Sequence, residues 1–238
     1  MKRLRALVII LGSATIFSLG LGWLFSAYPM MPLAASQEAV RVDRAFNGLL
    51  WLSIPIYALV MCSLIYSLSA FKSSDDKARG EEFEHSRGRW VEGLWLGVSL
   101  VLTLGLAGFG SYELKHILAD QKHADMEIQV NASQFSWEFF YPEHEAYKPQ
   151  LYLPVNKKVR LILKSADVLH SFWVPEFRLK QDVLPNRVTQ MVITPTVKGD
   201  YQLRCSELCG LDHTIMTAQV HVVDDETYAK QFTEGESW

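Results

Sequence analysis

The hydrophobic positions divide this chain into an apolar first half and a mixed second half. Three long apolar stretches lie at about residues 6–27, 46–70 and 91–110. Each is about as long as a helix that crosses a bilayer, which takes roughly 20 residues. From Asp125 onward, apolar residues recur with a period of two between prolines and glycines, which predicts short strands. The pattern predicts an α+β membrane protein that carries a separate β-domain.

The first apolar stretch has two interpretations. It follows the basic residues Lys2, Arg3 and Arg5, so residues 1–28 form either a signal peptide or a first transmembrane helix. Small residues at 34–36 resemble a cleavage site, but the stretch is longer than the usual signal core. We therefore expect a retained helix, followed by an external linker at 29–45.

The other two stretches predict a transmembrane helical hairpin at 46–113, with spans at about 46–70 and 91–112. The loop between them, 71–90, is rich in Lys and Arg, although it also carries acids. Basic residues favour the cytoplasmic side, so residues 114–238 are expected outside. Runs at 135–141, 159–164, 188–193, 201–204 and 216–222 then predict a β-sandwich or barrel.

Composition excludes some classes of protein. The net charge of −3 gives no indication of nucleic-acid binding. Only three cysteines occur, which is too few for a disulfide framework. Cys62 lies in an apolar run and is expected to pack as a small hydrophobic residue.

Candidate chemistry is concentrated between Cys205 and Met216. Two cysteines, His213 and a methionine fall within twelve residues, and a second imidazole, His170, lies upstream. Thiolate, imidazole and thioether ligands together favour copper.

Three other interpretations of this segment remain open from the residues alone. The spacing of four between Cys205, Cys209 and His213 would align them on one face of a helix, although Gly210 and the strand-like run before Cys205 argue against one. A Cys205–Cys209 disulfide is possible outside the cytoplasm. A zinc site that includes His170 is also possible, but it leaves Met216 unexplained.

The pattern C-S-E-x-C-G-x-x-H-x-x-M, with V-L-H-S-F upstream, resembles the binuclear CuA site of subunit II of the haem–copper cytochrome c oxidases. The resemblance covers the membrane anchor and the copper domain. It implies a cupredoxin-like antiparallel β-sandwich or barrel on the periplasmic side of a bacterial plasma membrane. It also implies that both cysteines bridge two coppers, with His170 and Met216 on one copper and His213 and the Glu207 carbonyl on the other. The Glu207 side chain would reach a magnesium ion near subunit I.

The resemblance further implies that this chain relays electrons and does not itself reduce oxygen. Its partners would be subunit I, which holds the haems, subunit III and an external cytochrome c, in a complex that couples oxygen reduction to proton pumping. A CuA subunit of a nitric oxide reductase and a membrane-anchored copper-delivery protein are the alternatives. A quinol oxidase subunit is disfavoured, because that branch lacks the copper ligands.

Two aromatic residues are candidates for the electron path. The family has Q-W-x-W where this chain has Gln134-Phe135-Ser136-Trp137, so Phe135 replaces the exposed tryptophan and Trp137 matches the second. Aromatic residues with a period of two are otherwise ordinary strand residues.

Acidic residues supply the remaining candidates. Glu92 at the start of the third span resembles a glutamate at the mouth of a proton channel, or is an ordinary interfacial carboxylate. Asp182, Glu176 and Asp212 are candidates for an acidic face that binds a basic cytochrome c, although Arg178, Lys180 and Arg187 lie among them.

Overall fold

The structure, a computed structural model, describes residues 2–70, 85–120 and 123–233 and divides into two compact units. One unit comprises Met1–Pro29 and Gly48–His116, and the other comprises Met30–Asn47 and Ile117–Trp238. The helices are α1 (Lys2–Ala27), α2 (Gln37–Ala70), α3 (His85–Asp120) and α4 (Asp225–Thr233). The strands are β1 (Met126–Ser133), β2 (Ser136–Tyr141), β3 (Ala146–Lys148), β4 (Leu151–Pro154), β5 (Val159–Ser165), β6 (His170–Val174), β7 (Leu179–Val183), β8 (Thr189–Ile193), β9 (Gly199–Cys205) and β10 (Thr217–Val223).

The three N-terminal helices are long and apolar enough to cross a membrane over Leu4–Ala27, Gln37–Ala70 and Gly88–Ile117. Both helices of the predicted hairpin extend past the predicted spans of 46–70 and 91–112. The added turns at their ends are rich in polar residues, so the hydropathy of the sequence does not predict them, although their backbone is helical. The predicted loop residues Lys72, Lys77 and Arg79 lie outside the described residues.

Helices α1 and α2 pack against each other through a small residue and large rings. A Cβ added to Gly22 would come within 2.8 Å of the Trp51 ring. Farther along, the ring centroids of Phe17 and Tyr57 are 6.2 Å apart. Glycine at the contact lets the helices approach closely, as in many membrane helix pairs.

The second unit contains a sandwich of two five-stranded sheets, with strand orders β3-β2-β1-β5-β8 and β4-β10-β9-β6-β7. Inward positions alternate with outward ones along the strands, so that Ile128, Leu161 and Leu203 are fully buried between the sheets. The predicted cupredoxin-like sandwich is confirmed. Its sheets are mixed and not purely antiparallel, because β1–β5 and β4–β10 run parallel.

The predicted linker at 29–45 is partly built into this unit. Ala35 N–H donates to the Glu176 carbonyl at 2.9 Å, and the Ala35 carbonyl accepts from Thr196 N–H at 2.8 Å. Ser36 Oγ then accepts from Ala39 N–H at 3.0 Å, which caps the first turn of α2. We call residues 32–43 the clasp. Its backbone pairs with strands of the sandwich, so this part of the predicted linker is ordered on the domain.

An ion pair completes the clasp. Arg178 Nε and Nη2 donate to the two carboxylate oxygens of Asp43 at 2.8 and 3.0 Å. The same guanidinium donates to the Pro175 carbonyl at 2.7 Å and to the Pro32 carbonyl. Glu38 accepts from both the backbone N–H and the hydroxyl of Thr194. These polar contacts fix the start of α2 on the sandwich.

The polar C-terminal segment contains a helix that the sequence pattern did not predict. Asp224 caps α4 by accepting from Thr227 N–H at 2.8 Å. That bond, and the nearby Lys198 ammonium, lower the pKa of the Asp224 carboxyl. Tyr228 and Phe232, one helical turn apart, pack on Tyr141. Residues 234–238 lie outside the described part of the chain.

Candidate metal centre

The two cysteines of the motif come together at one end of the sandwich. Cys205 is the last residue of β9, and Cys209 lies in the loop that leads to β10. Their Sγ atoms are 3.9 Å apart, and both side chains are buried. Both are free thiols, since a disulfide requires about 2.05 Å. The helical alternative is also excluded, because Cys205 ends a strand.

Four further donors surround these sulfurs. His170 Nδ1 is 3.9 Å from Cys205 Sγ, and His213 Nδ1 is 3.5 Å from Cys209 Sγ. The Glu207 carbonyl lies 3.2 Å from Cys205 Sγ. Met216 Sδ lies 3.7 Å from Cys209 Sγ. All six predicted donors therefore converge at one place.

The donor spacing fits metal binding. With metal–sulfur distances of about 2.3 Å and metal–nitrogen distances of about 2.0 Å, donors on one tetrahedral ion lie about 3.5–3.8 Å apart. Ligand atoms of His170, Cys205 and Cys209 all lie within 4.8 Å of one another. The buried thioether of Met216 favours copper over zinc.

Local backbone geometry explains the convergence. Cys205 N–H donates to the Met216 carbonyl at 3.1 Å, which closes the loop between β9 and β10. Ser206 N–H donates to the Ser171 carbonyl at 3.0 Å, which joins the loop to β6. His170 is the first residue of β6. Its side chain is fully buried at this end of the sandwich.

Burial makes the site dependent on a bound cation. Desolvation, and next the nearby Cys205, raise the pKa of the Cys209 thiol to about 11. A metal ion reverses this preference, because a coordinating thiol loses its proton outright. His213 is the one predicted side-chain ligand that is only half-buried.

Both aromatic candidates contact the site. Trp137 is buried, and its ring centroid lies 6.2 Å from that of His170 and 6.1 Å from that of Phe172, edge to face in both cases. Its Nε1–H donates a hydrogen bond to the Met216 carbonyl at 3.4 Å. Phe135 is half-buried in the turn before β2 and is not part of the strand. A Cβ on Gly210, whose φ is +144°, would come within 2.9 Å of the Phe135 ring. The backbone of the cysteine loop therefore contacts the Phe135 ring closely.

The three predicted docking acids do not form one surface. Asp182 pairs with Ser171, next to His170, and Asp212 lies in the cysteine loop; both are exposed. Glu176 follows the opposite end of β6. After burial, the Glu176 charge is the largest cause of the raised pKa of Tyr201, near the start of β9. Glu176 therefore lies away from the cysteines. Glu92 lies on α3 in the other unit and is exposed.

Sequence reasoning missed two residues behind the ligands. Asp167 Oδ1 lies 2.8 Å from His170 Nε2, and Asp167 Oδ2 accepts from Gln134 N–H at 2.7 Å. Burial alone would raise the pKa of Asp167, but the hydrogen bonds from His170 and from the Gln134 and Val168 N–H groups lower it to about 2. The spacing of three between Asp167 and His170 was the available signal. Gln134 is the glutamine of the segment that resembles Q-W-x-W, but that segment gave no indication of a contact with Asp167.

Fold and site together define a cupredoxin-like domain with a buried metal-binding donor set, on a chain with apolar helices. Residues 144–223 match the family model of the periplasmic domain of cytochrome c oxidase subunit II. The predicted resemblance to the cytochrome c oxidase subunit II family is confirmed over this part of the chain.

Individual proteins are similar to this chain over different parts of its length. The chain is 28% identical to cytochrome c oxidase subunit 2 of Synechocystis sp., over 87% of this chain and 76% of that protein. It is 42% identical to the Thermostichus vulcanus protein of the same name, over 46% of this chain and 34% of that protein. The crystal structure of the periplasmic domain of subunit II of cytochrome oxidase from Bradyrhizobium japonicum aligns with a TM-score of 0.44 at 29% identity, covering 46% of this chain and 92% of that one.

Proposed function

We propose that this chain is the electron-accepting subunit of a respiratory haem–copper cytochrome c oxidase. The observation that carries the proposal is the convergence of four further donors on two buried thiols whose Sγ atoms are 3.9 Å apart. When bound at these residues, a binuclear copper centre would supply one-electron chemistry between an external cytochrome c and the haem of subunit I. The enzyme as a whole would be an oxidoreductase and translocase that reduces oxygen and pumps protons.

The chain's own residues would hold and shield the centre. Cys205 and Cys209 would bridge the two coppers. His170, His213, Met216 and the Glu207 carbonyl would complete the ligand set. These donors leave no ligand position for a substrate, which supports electron transfer and not catalysis within this chain. Trp137 and Phe172 cover the buried side and exclude water from it. Ligands held by strands move little, and a rigid site favours rapid electron transfer.

Further parts of the proposal rest on the family resemblance. The copper domain would lie on the periplasmic side of a bacterial plasma membrane, with the apolar helices crossing it. Subunit I and subunit III would be the membrane partners, and the Glu207 side chain would reach magnesium near subunit I. Glu92 would collect protons from the cytoplasm. Phe135 and Trp137 would lie on the electron path from the donor.

The test is to purify the complex that contains the full chain. We expect two coppers per chain, a mixed-valence copper signal in electron paramagnetic resonance, haem, and oxygen consumption with reduced cytochrome c. Cys209→Ser should abolish the mixed-valence signal, because only one thiolate would remain to bridge the ions.

Other outcomes identify the alternatives. Bound zinc in place of copper would overturn the proposal. Reduction of nitric oxide without oxygen consumption would assign the chain to a nitric oxide reductase. Copper(I) that exchanges readily with a chelator, without haem, would indicate copper delivery.

A further inference from the structure

The carboxylate of Asp167 lies directly behind the predicted copper ligand His170. Its Oδ1 is 2.8 Å from His170 Nε2. The His170 side chain is fully buried, whereas that of Asp167 keeps 30% of its surface exposed. A carboxylate behind a metal-binding imidazole fixes the ring's tautomer and orientation and strengthens its basicity.

The two ring nitrogens face different chemical surroundings. Nε2 faces a carboxylate oxygen, which only accepts hydrogen bonds, so Nε2 carries the proton. Nδ1 faces Cys205 Sγ at 3.9 Å. Asp167 therefore selects the tautomer whose Nδ1 lone pair is directed at the thiols.

The carboxylate is itself held from two sides. Val168 N–H donates to Oδ1 at 2.6 Å, and Gln134 N–H donates to Oδ2 at 2.7 Å. Gln134 lies in the turn between β1 and β2, so the contact continues the pairing of β1 with its neighbour β5. The Asp167 side chain has little freedom to move away from His170.

Gln134 also reaches the second ligand segment. Its side-chain amide donates to the Cys209 carbonyl. A Cβ on Gly210 would come within 2.9 Å of the Gln134 amide nitrogen, so the loop is closely packed there. One turn thus contacts the carboxylate behind His170 and the backbone of Cys209.

We propose that Asp167 is a positioning residue of the metal centre, and that Gln134 links it to the cysteine loop. Asp167 fixes the Nε2–H tautomer and ring direction of His170 before metal binds. Gln134 holds the Asp167 carboxylate and the Cys209 backbone at a fixed position relative to each other. The role deepens the proposed function and rests on it only for the identity of the metal.

The test compares Asp167→Ala and Asp167→Asn in the full-length chain in detergent. Copper affinity is measured by competition with a chelator, and the ligand nitrogens by their hyperfine couplings. Asp167→Ala should weaken copper binding by about 10–100-fold and alter the His170 nitrogen coupling. Asp167→Asn keeps an acceptor oxygen and should fall between Asp167→Ala and the wild type. Loss of the negative charge should raise the reduction potential in both variants.

Asp200 provides a matched control. It forms the same kind of carboxylate–imidazole pair, because Asp200 Oδ1 lies 2.6 Å from His221 Nδ1. Asp200 lies near the start of β9, whereas Cys205 ends that strand, so this pair is distant from the cysteines. Asp200→Ala should leave copper affinity and spectrum unchanged. Gln134→Ala should alter copper binding less than Asp167→Ala, because its backbone N–H still holds the carboxylate.

Melting of the metal-free variants separates positioning from a purely structural role. If Asp167→Ala lowers the apoprotein melting temperature but binds copper with wild-type affinity and spectrum, Asp167 only stabilises its loop and the inference is overturned. If the wild-type chain binds a single zinc, the proposed function fails, yet the same affinity comparison with zinc still decides the role of Asp167.

Discussion

Removing the Asp43 carboxylate should destabilise the copper domain, although Asp43 lies in the N-terminal half of the sequence. Asp43→Ala deletes two charge-assisted hydrogen bonds, 2.8 and 3.0 Å long, to a guanidinium whose side chain is only 6% exposed. Breaking a fully buried pair costs about 3–5 kcal/mol. The Asp43 side chain is 22% exposed, and Arg178 keeps two carbonyl acceptors in the variant. We therefore expect a smaller loss in the free energy of unfolding, of about 2–3 kcal/mol.

Thermal unfolding of the full chain in detergent, followed by near-ultraviolet circular dichroism, measures this loss. At about 2–4 °C per kcal/mol for a unit of this size, the midpoint of unfolding should fall by roughly 4–12 °C. The control is Glu226→Ala, which removes the exposed Lys230–Glu226 pair and should cost less than about 0.5 kcal/mol.

A double variant tests the physical reason. Adding Arg178→Met to Asp43→Ala removes the uncompensated charge and should recover part of the loss. If Asp43→Ala melts with the wild type, or if the double variant melts lower still, the buried-pair argument is refuted.

The remaining predictions concern the loop, the proton path and the donor surface. Gly210→Ala should destabilise the domain by about 1–3 kcal/mol, measured by denaturant unfolding, because φ is +144° and the new Cβ meets two side chains; an unchanged midpoint would contradict this. Glu92→Gln should slow turnover and proton uptake of the complex, and unchanged rates in a stopped-flow assay would remove its proposed role. Asp182→Asn and Asp212→Asn should each slow association with a basic cytochrome c and weaken its dependence on ionic strength. Glu176→Gln should have no such effect, since Glu176 lies at the opposite end of β6; an equal effect would place the docking surface elsewhere.

Local spacing explains why the ligand set could be predicted. Five of the six donors fall between Cys205 and Met216, so one loop brings them together whatever the rest of the fold does. His170 is remote from this loop in sequence, and the V-L-H-S-F segment that resembles the family is what placed it in the predicted ligand set. The contact of Asp167 with Gln134 depends on the packing of β1 against its neighbours, and no local pattern encodes that packing.

The clasp and α4 could not be predicted for two different reasons. Glu38 and Thr194 are 156 residues apart, and polar contacts of that range leave no periodic signal. The α4 segment did carry a signal, since Asp224 can cap a helix and Tyr228 and Phe232 share a face. Its high content of charged residues obscured that signal. The predicted start of the aromatic strand at Phe135 was wrong, because β2 begins at Ser136 after a tight turn.

The clasp also has a consequence for biogenesis. Ser36 hydrogen-bonds to Phe177 across 141 residues, so this part of the domain leaves the ribosome long before the strands that receive it are synthesised. The segment must wait, unpaired, while α2 and α3 are made. Closing so long a loop costs conformational entropy and slows folding. Maturation of the β-sandwich is therefore coupled to synthesis of the chain as far as Thr196, and a domain expressed from residue 114 onward would lack the clasp.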